Sequence, residues 1–142
     1  MNTVKRNYSE ITPEILKYSD KALAECQIEP SLYVEHKVNR GLRDLNGKGV
    51  LTGLTEISEI ISKRQSGDQE IPCEGELYYR GYNIFDLVSG FVGEKRFGFE
   101  EITYLLLFGN LPTEDELKEF NNVLASYRSL PNSFVRDIIM KM

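Results

Sequence analysis

The run Tyr104-Leu105-Leu106-Leu107-Phe108 constrains this chain more than any other five residues. It is apolar on nearly every side of a helix, so neighbours must enclose it. Phe99-Glu100-Glu101-Ile102 opens that helix with acids in its first turn, where they complement the macrodipole. Gly109 stops it. Asn110-Leu111-Pro112-Thr113-Glu114-Asp115-Glu116-Leu117 follows, with Thr113 and Glu116 in capping-box spacing at the start of a further helix. Leu117, Phe120, Leu124 and Tyr127 fall on one face of that helix. Upstream, Arg80-Gly81-Tyr82 forms a corner. Gly81 can take a positive φ, so Tyr78 and Tyr79 leave an extended segment and turn straight into a short helix. Ile84, Phe85, Leu87 and Val88 cluster on one side of it, and Gly90 breaks it.

The lead-in begins with a helix start at Ile11-Thr12-Pro13-Glu14: Thr12 as N-cap, Pro13 at the first helical position, Glu14 in the first turn. Ile15, Leu16, Ser19, Leu23 and Cys26 are expected on its inner face, with Ile11 stapled against Leu16. Pro30 interrupts, and Ser31 is placed to cap a shorter helix through Leu32, Val34 and Val38. Residues 1–40 thus read as a helical arm packing on the rest of the protein or on a partner subunit. Gly41 to Gly49 is a turn-rich connector. Between Val50 and Ile61 the three-residue repeat of Leu51, Leu54, Ile57 and Ile60 favours a helix. Ser62 to Glu70 is polar and loop-like. Downstream, Ser129 to Ser133 breaks the chain, and Ser133 caps a last helix carrying Phe134, Val135, Ile138, Ile139 and Met142. The pattern runs to the final residue with no terminator, so the sequence reads as a piece cut inside a helix-rich protein.

Composition removes several classes. The chain has 142 residues and a formal charge of −5, which argues against a nucleic-acid partner needing clustered Lys and Arg. No apolar run approaches a membrane span, and the N-terminus has no signal-peptide core. Cys26 and Cys73 have no zinc-ligand spacing and read as free thiols in a reducing cytoplasm. Gly47-Lys48-Gly49 lacks the rest of a phosphate loop and reads as a turn. The acids Glu114, Asp115 and Glu116 are explained by their first-turn position, so no metal site is expected.

Three pieces in order carry a resemblance: Leu77-Tyr78-Tyr79-Arg80-Gly81-Tyr82-Asn83-Ile84, Phe99-Glu100-Glu101-Ile102-Thr103-Tyr104-Leu105-Leu106-Leu107, and Gly109-Asn110-Leu111-Pro112-Thr113. Together they resemble the N-terminal region of citrate synthases. The resemblance implies a mainly α fold, with residues 41–142 forming the N-terminal, truncated portion of the large helical domain. It also implies one small β-hairpin ending at Arg80-Gly81, and on that ground the hairpin is preferred to a helix before it. The implied reaction condenses acetyl-CoA with oxaloacetate to give citrate and CoA, the CoA thioester being a substrate and no cofactor being required. Such chemistry needs a base, an enolate-stabilising donor and an acid, roles that an Asp and two His fill in the family. They lie C-terminal of the region represented here. His36 is the only histidine, and it reads as a solvated residue between Glu35 and Lys37. No catalytic residue is therefore assigned, and the piece by itself is expected to be inactive.

Arg43, after Gly41-Leu42, is the candidate for contact with the CoA phosphates, against a salt bridge. Arg80 is expected to tie down carbonyls or a carboxylate such as Asp86 rather than to bind an anion. The resemblance further implies a homodimer in the cytoplasm. The alternatives are a 2-methylcitrate synthase, which uses propionyl-CoA, and a non-catalytic helical interaction module.

Overall fold

The structure is a computed structural model describing residues 9–39, 50, 52–130 and 133–141. Helices predominate among the described residues, beside one small antiparallel sheet.

Helix α1 spans Pro13–Glu25, with the Thr12 hydroxyl accepting from the Ile15 N–H as expected of an N-cap. Its inward face is the predicted one only at Ile15, which is half-buried. Tyr18 and Ala22 pack on the core, while Ile11, Leu16 and Leu23 are exposed. The reason is aromatic. Tyr18 stacks on Phe108 at 5.3 Å and meets Phe120 edge-on at 5.5 Å, and no leucine can make such ring contacts. Helix α2 spans Pro30–Glu35; Pro30 starts it rather than interrupting, and Glu29, not Ser31, is the N-cap residue.

Strands β1 (Ser58–Ser66) and β2 (Gln69–Tyr79) form the hairpin, in antiparallel register from Ser58 opposite Tyr79 to Ser66 opposite Gln69. The segment from Ser62 to Glu70, expected as a loop, is strand except for Gly67 and Asp68. Its polar residues are exposed on both faces, so no alternation marks them as strand. Gly67 takes φ +61°, the glycine-first pattern of a tight two-residue hairpin turn. A bulge falls between Ile61 and Lys63, beside Pro72, where a proline does least harm to a ladder. The sheet is also one strand larger than a hairpin. β3 (Tyr82–Asn83) returns along Tyr78 and Tyr79, so the chain makes a second tight turn before it enters the helix. Both corner residues have positive φ, Arg80 at +48° and Gly81 at +84°, the pattern of a type I′ turn.

Helix α3 (Ile84–Gly93) is capped by the Asn83 side chain and runs through Gly90 without breaking. Of its apolar residues only Leu87 is buried. Helix α4 (Phe99–Phe108) ends at Gly109, left-handed at φ +79°, the usual helix stop. It is enclosed on the side of Tyr104, Leu105 and Phe108, whereas Phe99 and Leu107 are exposed. Helix α5 (Glu114–Tyr127) has the predicted capping box between Thr113 and Glu116, and it buries Phe120. Helix α6 is only Phe134–Asp137, followed by a 3₁₀ turn at Ile139–Lys141, and the Ser133 side chain makes no cap bond.

The core lies where α1, α4 and α5 meet. Tyr104 meets Phe108 at 4.6 Å and Phe120 at 5.4 Å, and Phe108 meets Phe120 at 5.9 Å, all edge-on. Each such pair contributes about 0.5–1.5 kcal/mol beyond area burial, so the ring cluster outweighs any single surface ion pair.

Candidate functional site

The glycine corner delivers Arg80 to the ends of two helices. Its Nε and Nη2 donate to the Leu106 carbonyl at 3.3 and 3.1 Å, and Nη1 donates to the Glu25 carbonyl at 3.3 Å. Nη2 also points at the Cys26 sulfur, 3.5 Å away. Glu25 closes α1 and Leu106 lies in the last turn of α4. The guanidinium therefore occupies the negative ends of both helices and satisfies carbonyls that have no partner within their own helix. The expected carbonyl anchor is what forms, with Asp86 not involved. A hollow of 160 Å³ opens beside it, lined by Cys26, Ile28, Leu54, Thr55, Ile57 and Arg80 among others. With its donors occupied by carbonyls, Arg80 has little left to offer an anion there.

A second polar cluster lies across the core, joining the predicted Thr113–Glu116 capping box to Lys21 and Tyr104, which no local sequence pattern links to it. Lys21 Nζ donates to the Tyr104 hydroxyl and, at 3.0 Å, to Glu116 Oε1; the Tyr104 hydroxyl donates to the same oxygen at 2.9 Å. Glu116 Oε2 accepts from the Thr113 N–H at 2.9 Å and from its hydroxyl at 3.0 Å. These bonds join α1, α4 and α5. The Thr113 N–H first, then Lys21 and Tyr104, hold the Glu116 carboxyl down to about 2. Burial pushes the Tyr104 hydroxyl up, and the bond to Tyr104 raises Lys21. A carboxylate so deep in its ionised form is a poor proton acceptor, so the cluster is a clasp and not an acid–base pair.

Arg43 and the Gly47-Lys48-Gly49 turn lie outside the described residues. His36 is exposed at the end of α2, where its N–H donates to the Leu32 carbonyl at 2.9 Å. Cys26 and Cys73 are free thiols. Glu114 and Asp115 sit in the first turn of α5. Among the described residues no group of three or more His, Cys, Asp or Glu is arranged to hold a metal, and no helix is long and apolar enough to cross a membrane. Open grooves of 500 and 520 Å³ run along α5. Arg96 lines both, and it is already paired with Glu94 and, at 2.5 Å, with Glu101.

The family described as citrate synthase, C-terminal domain, matches residues 42–142. A 2-methylcitrate synthase 1 of Corynebacterium glutamicum is 38% identical over 68% of this chain and 20% of its own length. A citrate synthase of Thermoplasma acidophilum is 31% identical over 72% of this chain and 21% of its own. A citrate synthase of Corynebacterium glutamicum is 42% identical over 42% of this chain and 12% of its own. The chain therefore spans about a fifth or less of the length of these curated relatives. No solved structure matches it significantly.

Proposed function

The chain belongs to the citrate synthase family, and from that premise we propose that it serves as a scaffold segment of an acyltransferase that condenses acetyl-CoA with oxaloacetate. In this reading it forms the opening portion of the large helical domain, with residues 1–40 as an arm and 41–142 as domain proper. The observation that carries the reading is the Arg80 anchor. The corner, the apolar helix and the capped helix that bear the resemblance are one packed unit within the matched residues, tied by Arg80 to the Leu106 carbonyl.

The reaction removes a proton from the thioester methyl, adds the resulting enolate to the ketone carbon of oxaloacetate, and hydrolyses the thioester to release CoA. Each developing oxyanion needs a placed donor. The groups that touch reacting atoms come from outside this chain, because His36 is its only imidazole and Glu116 is locked in a structural network. The part played by these residues is to hold the helices in place. Arg43 remains the candidate for the CoA phosphates, and a cytoplasmic homodimer is the expected assembly of the whole enzyme.

A second reading, condensation of propionyl-CoA to 2-methylcitrate, is favoured by the names of some relatives. The test is a chimera in which this chain replaces the matching segment of the Corynebacterium 2-methylcitrate synthase 1. Thiol release is followed with acetyl-CoA or propionyl-CoA in the presence of oxaloacetate. Turnover with either donor supports the scaffold reading, and a shift in their ratio away from that of the unaltered Corynebacterium enzyme would show that this segment bears on the acyl group. A folded chimera that releases no CoA from either defeats both.

A further inference from the structure

The β1–β2 hairpin is two ladders rather than one. In its base, Ser58 to Ile61 pair with Glu76 to Tyr79; in its tip, Lys63 to Ser66 pair with Gln69 to Pro72. Between them Ser62 alone faces Cys73, Glu74 and Gly75. Such an excess on one strand leaves residues unpaired, interrupts the ladder and bends the strand. The two halves are held differently. Tyr78 and Tyr79 of the base also pair with β3, and the Arg80 N–H donates to the Ile57 carbonyl at 2.9 Å. Arg80 fixes the same corner to α1 and α4 through the Glu25 and Leu106 carbonyls. Every paired residue of the tip, by contrast, is exposed. Its Lys63–Glu70 ion pair at 3.5 Å and the Gln65 bond to the Gly67 carbonyl at 2.9 Å stay within it. A two-stranded ladder with no packed face is marginal in water.

Across the bulge runs a side-chain link. Arg64 of the tip pairs with Glu76 of the base, and the Tyr78 hydroxyl donates to the other Glu76 oxygen at 2.7 Å. We propose that the tip is a releasable strap: its strands part as a unit at Cys73-Glu74-Gly75, with Arg64 on Glu76 as the latch, while the base and the Arg80 anchor stay closed. Opening the tip breaks its own ladder and one ion pair, whose Arg64 side chain is 64% exposed and adds little. Opening the base also breaks the β3 pairing and pulls on Arg80. Segments whose backbone bonds are exposed and whose apolar contacts are few open well below the free energy of global unfolding. The bulge is where that opening stops. Four residues at ~3.3 Å each carry the strap roughly 13 Å past it.

The test is hydrogen exchange of the full chain, read amide by amide by NMR. The hydrogen-bonded amides of residues 63–66 and 69–71 should share one protection factor, at least about tenfold below that of Leu77, Tyr78 and Tyr79. Arg64→Ala should lower tip protection a further two- to fivefold or so, the worth of an exposed ion pair, and leave the base amides and the thermal melt unchanged. Deleting Cys73 and Glu74 puts Gly75 alone opposite Ser62 and makes the ladder continuous. Tip protection should then rise at least about tenfold, because the tip can no longer open without the base. Equal protection of tip and base in the wild type overturns the proposal. So do tip amides with no protection at all, or an Arg64→Ala chain that loses protection in both halves alike or in neither. A folded deletion variant with an unchanged tip overturns it as well; should that variant not fold, the wild type and Arg64→Ala still decide.

Discussion

Arg80 holds a left-handed backbone, unusual for a residue with a side chain, and that geometry aims its guanidinium at two helix ends. Replacing it with alanine should cost about 2 kcal/mol by removing charge-assisted bonds to two carbonyls. Arg80→Lys should recover only part of this, because an ammonium cannot reproduce the forked contact with Leu106. Urea unfolding monitored by circular dichroism measures both. Glu116 makes a prediction in pH. Its folded carboxyl lies at about 2, against an ordinary value of 4.5. The unfolded chain thus binds the extra proton first, and the stabilisation is present above about pH 4.5 and lost as pH falls toward 2. Glu116→Gln keeps an oxygen that can accept from the Thr113 N–H, so it should be less stable than wild type near neutrality by less than about 1 kcal/mol, through the lost charge opposite Lys21 on a half-exposed, solvent-screened pair. In chemical unfolding repeated at several pH values, that difference should close across the acid window. The capping box could be read from residues three apart. The bonds from Lys21 and Tyr104 could not, since they come from other helices.

At the scale of the element, sequence pattern locates the helices better than it orients them. Aliphatic spacing alone puts Leu16 and Leu23 inside α1, but the pocket made by Phe108 and Phe120 takes an aromatic ring. Tyr18→Ala should therefore destabilise by about 2–3 kcal/mol, while Leu23→Ala should change stability by less than about 0.5 kcal/mol, both read from urea midpoints. The hairpin shows the opposite failure. Ser62 to Ser66 reads as loop because neither of its faces is buried, and only pairing with β2 makes it strand. The α3–α4 junction is set by a close approach with no sequence signature. A Cβ on Gly98 would fall well inside van der Waals contact with the Phe91 ring. Gly98→Ala must therefore displace that ring at a cost of about 1–3 kcal/mol, read from a thermal melt.

For the whole molecule, the packing knot of α1, α4 and α5 is small beside the surface left uncovered. Leu87, Tyr104, Leu105, Phe108 and Phe120 are the buried apolar residues among those described. The family was legible because the corner, the apolar helix and the capped helix are local patterns that keep their order. No catalytic residue was assigned from the sequence, and among the described residues those that resemble the family build support, with the single histidine exposed away from them. The most direct test is a crystal structure of the chimera described above. It should show Arg80 on the Leu106 and Glu25 carbonyls and Tyr18 seated between Phe108 and Phe120. A chimera in which α1 has left Tyr104 and Phe108, or in which Arg80 points away from both carbonyls, would contradict it.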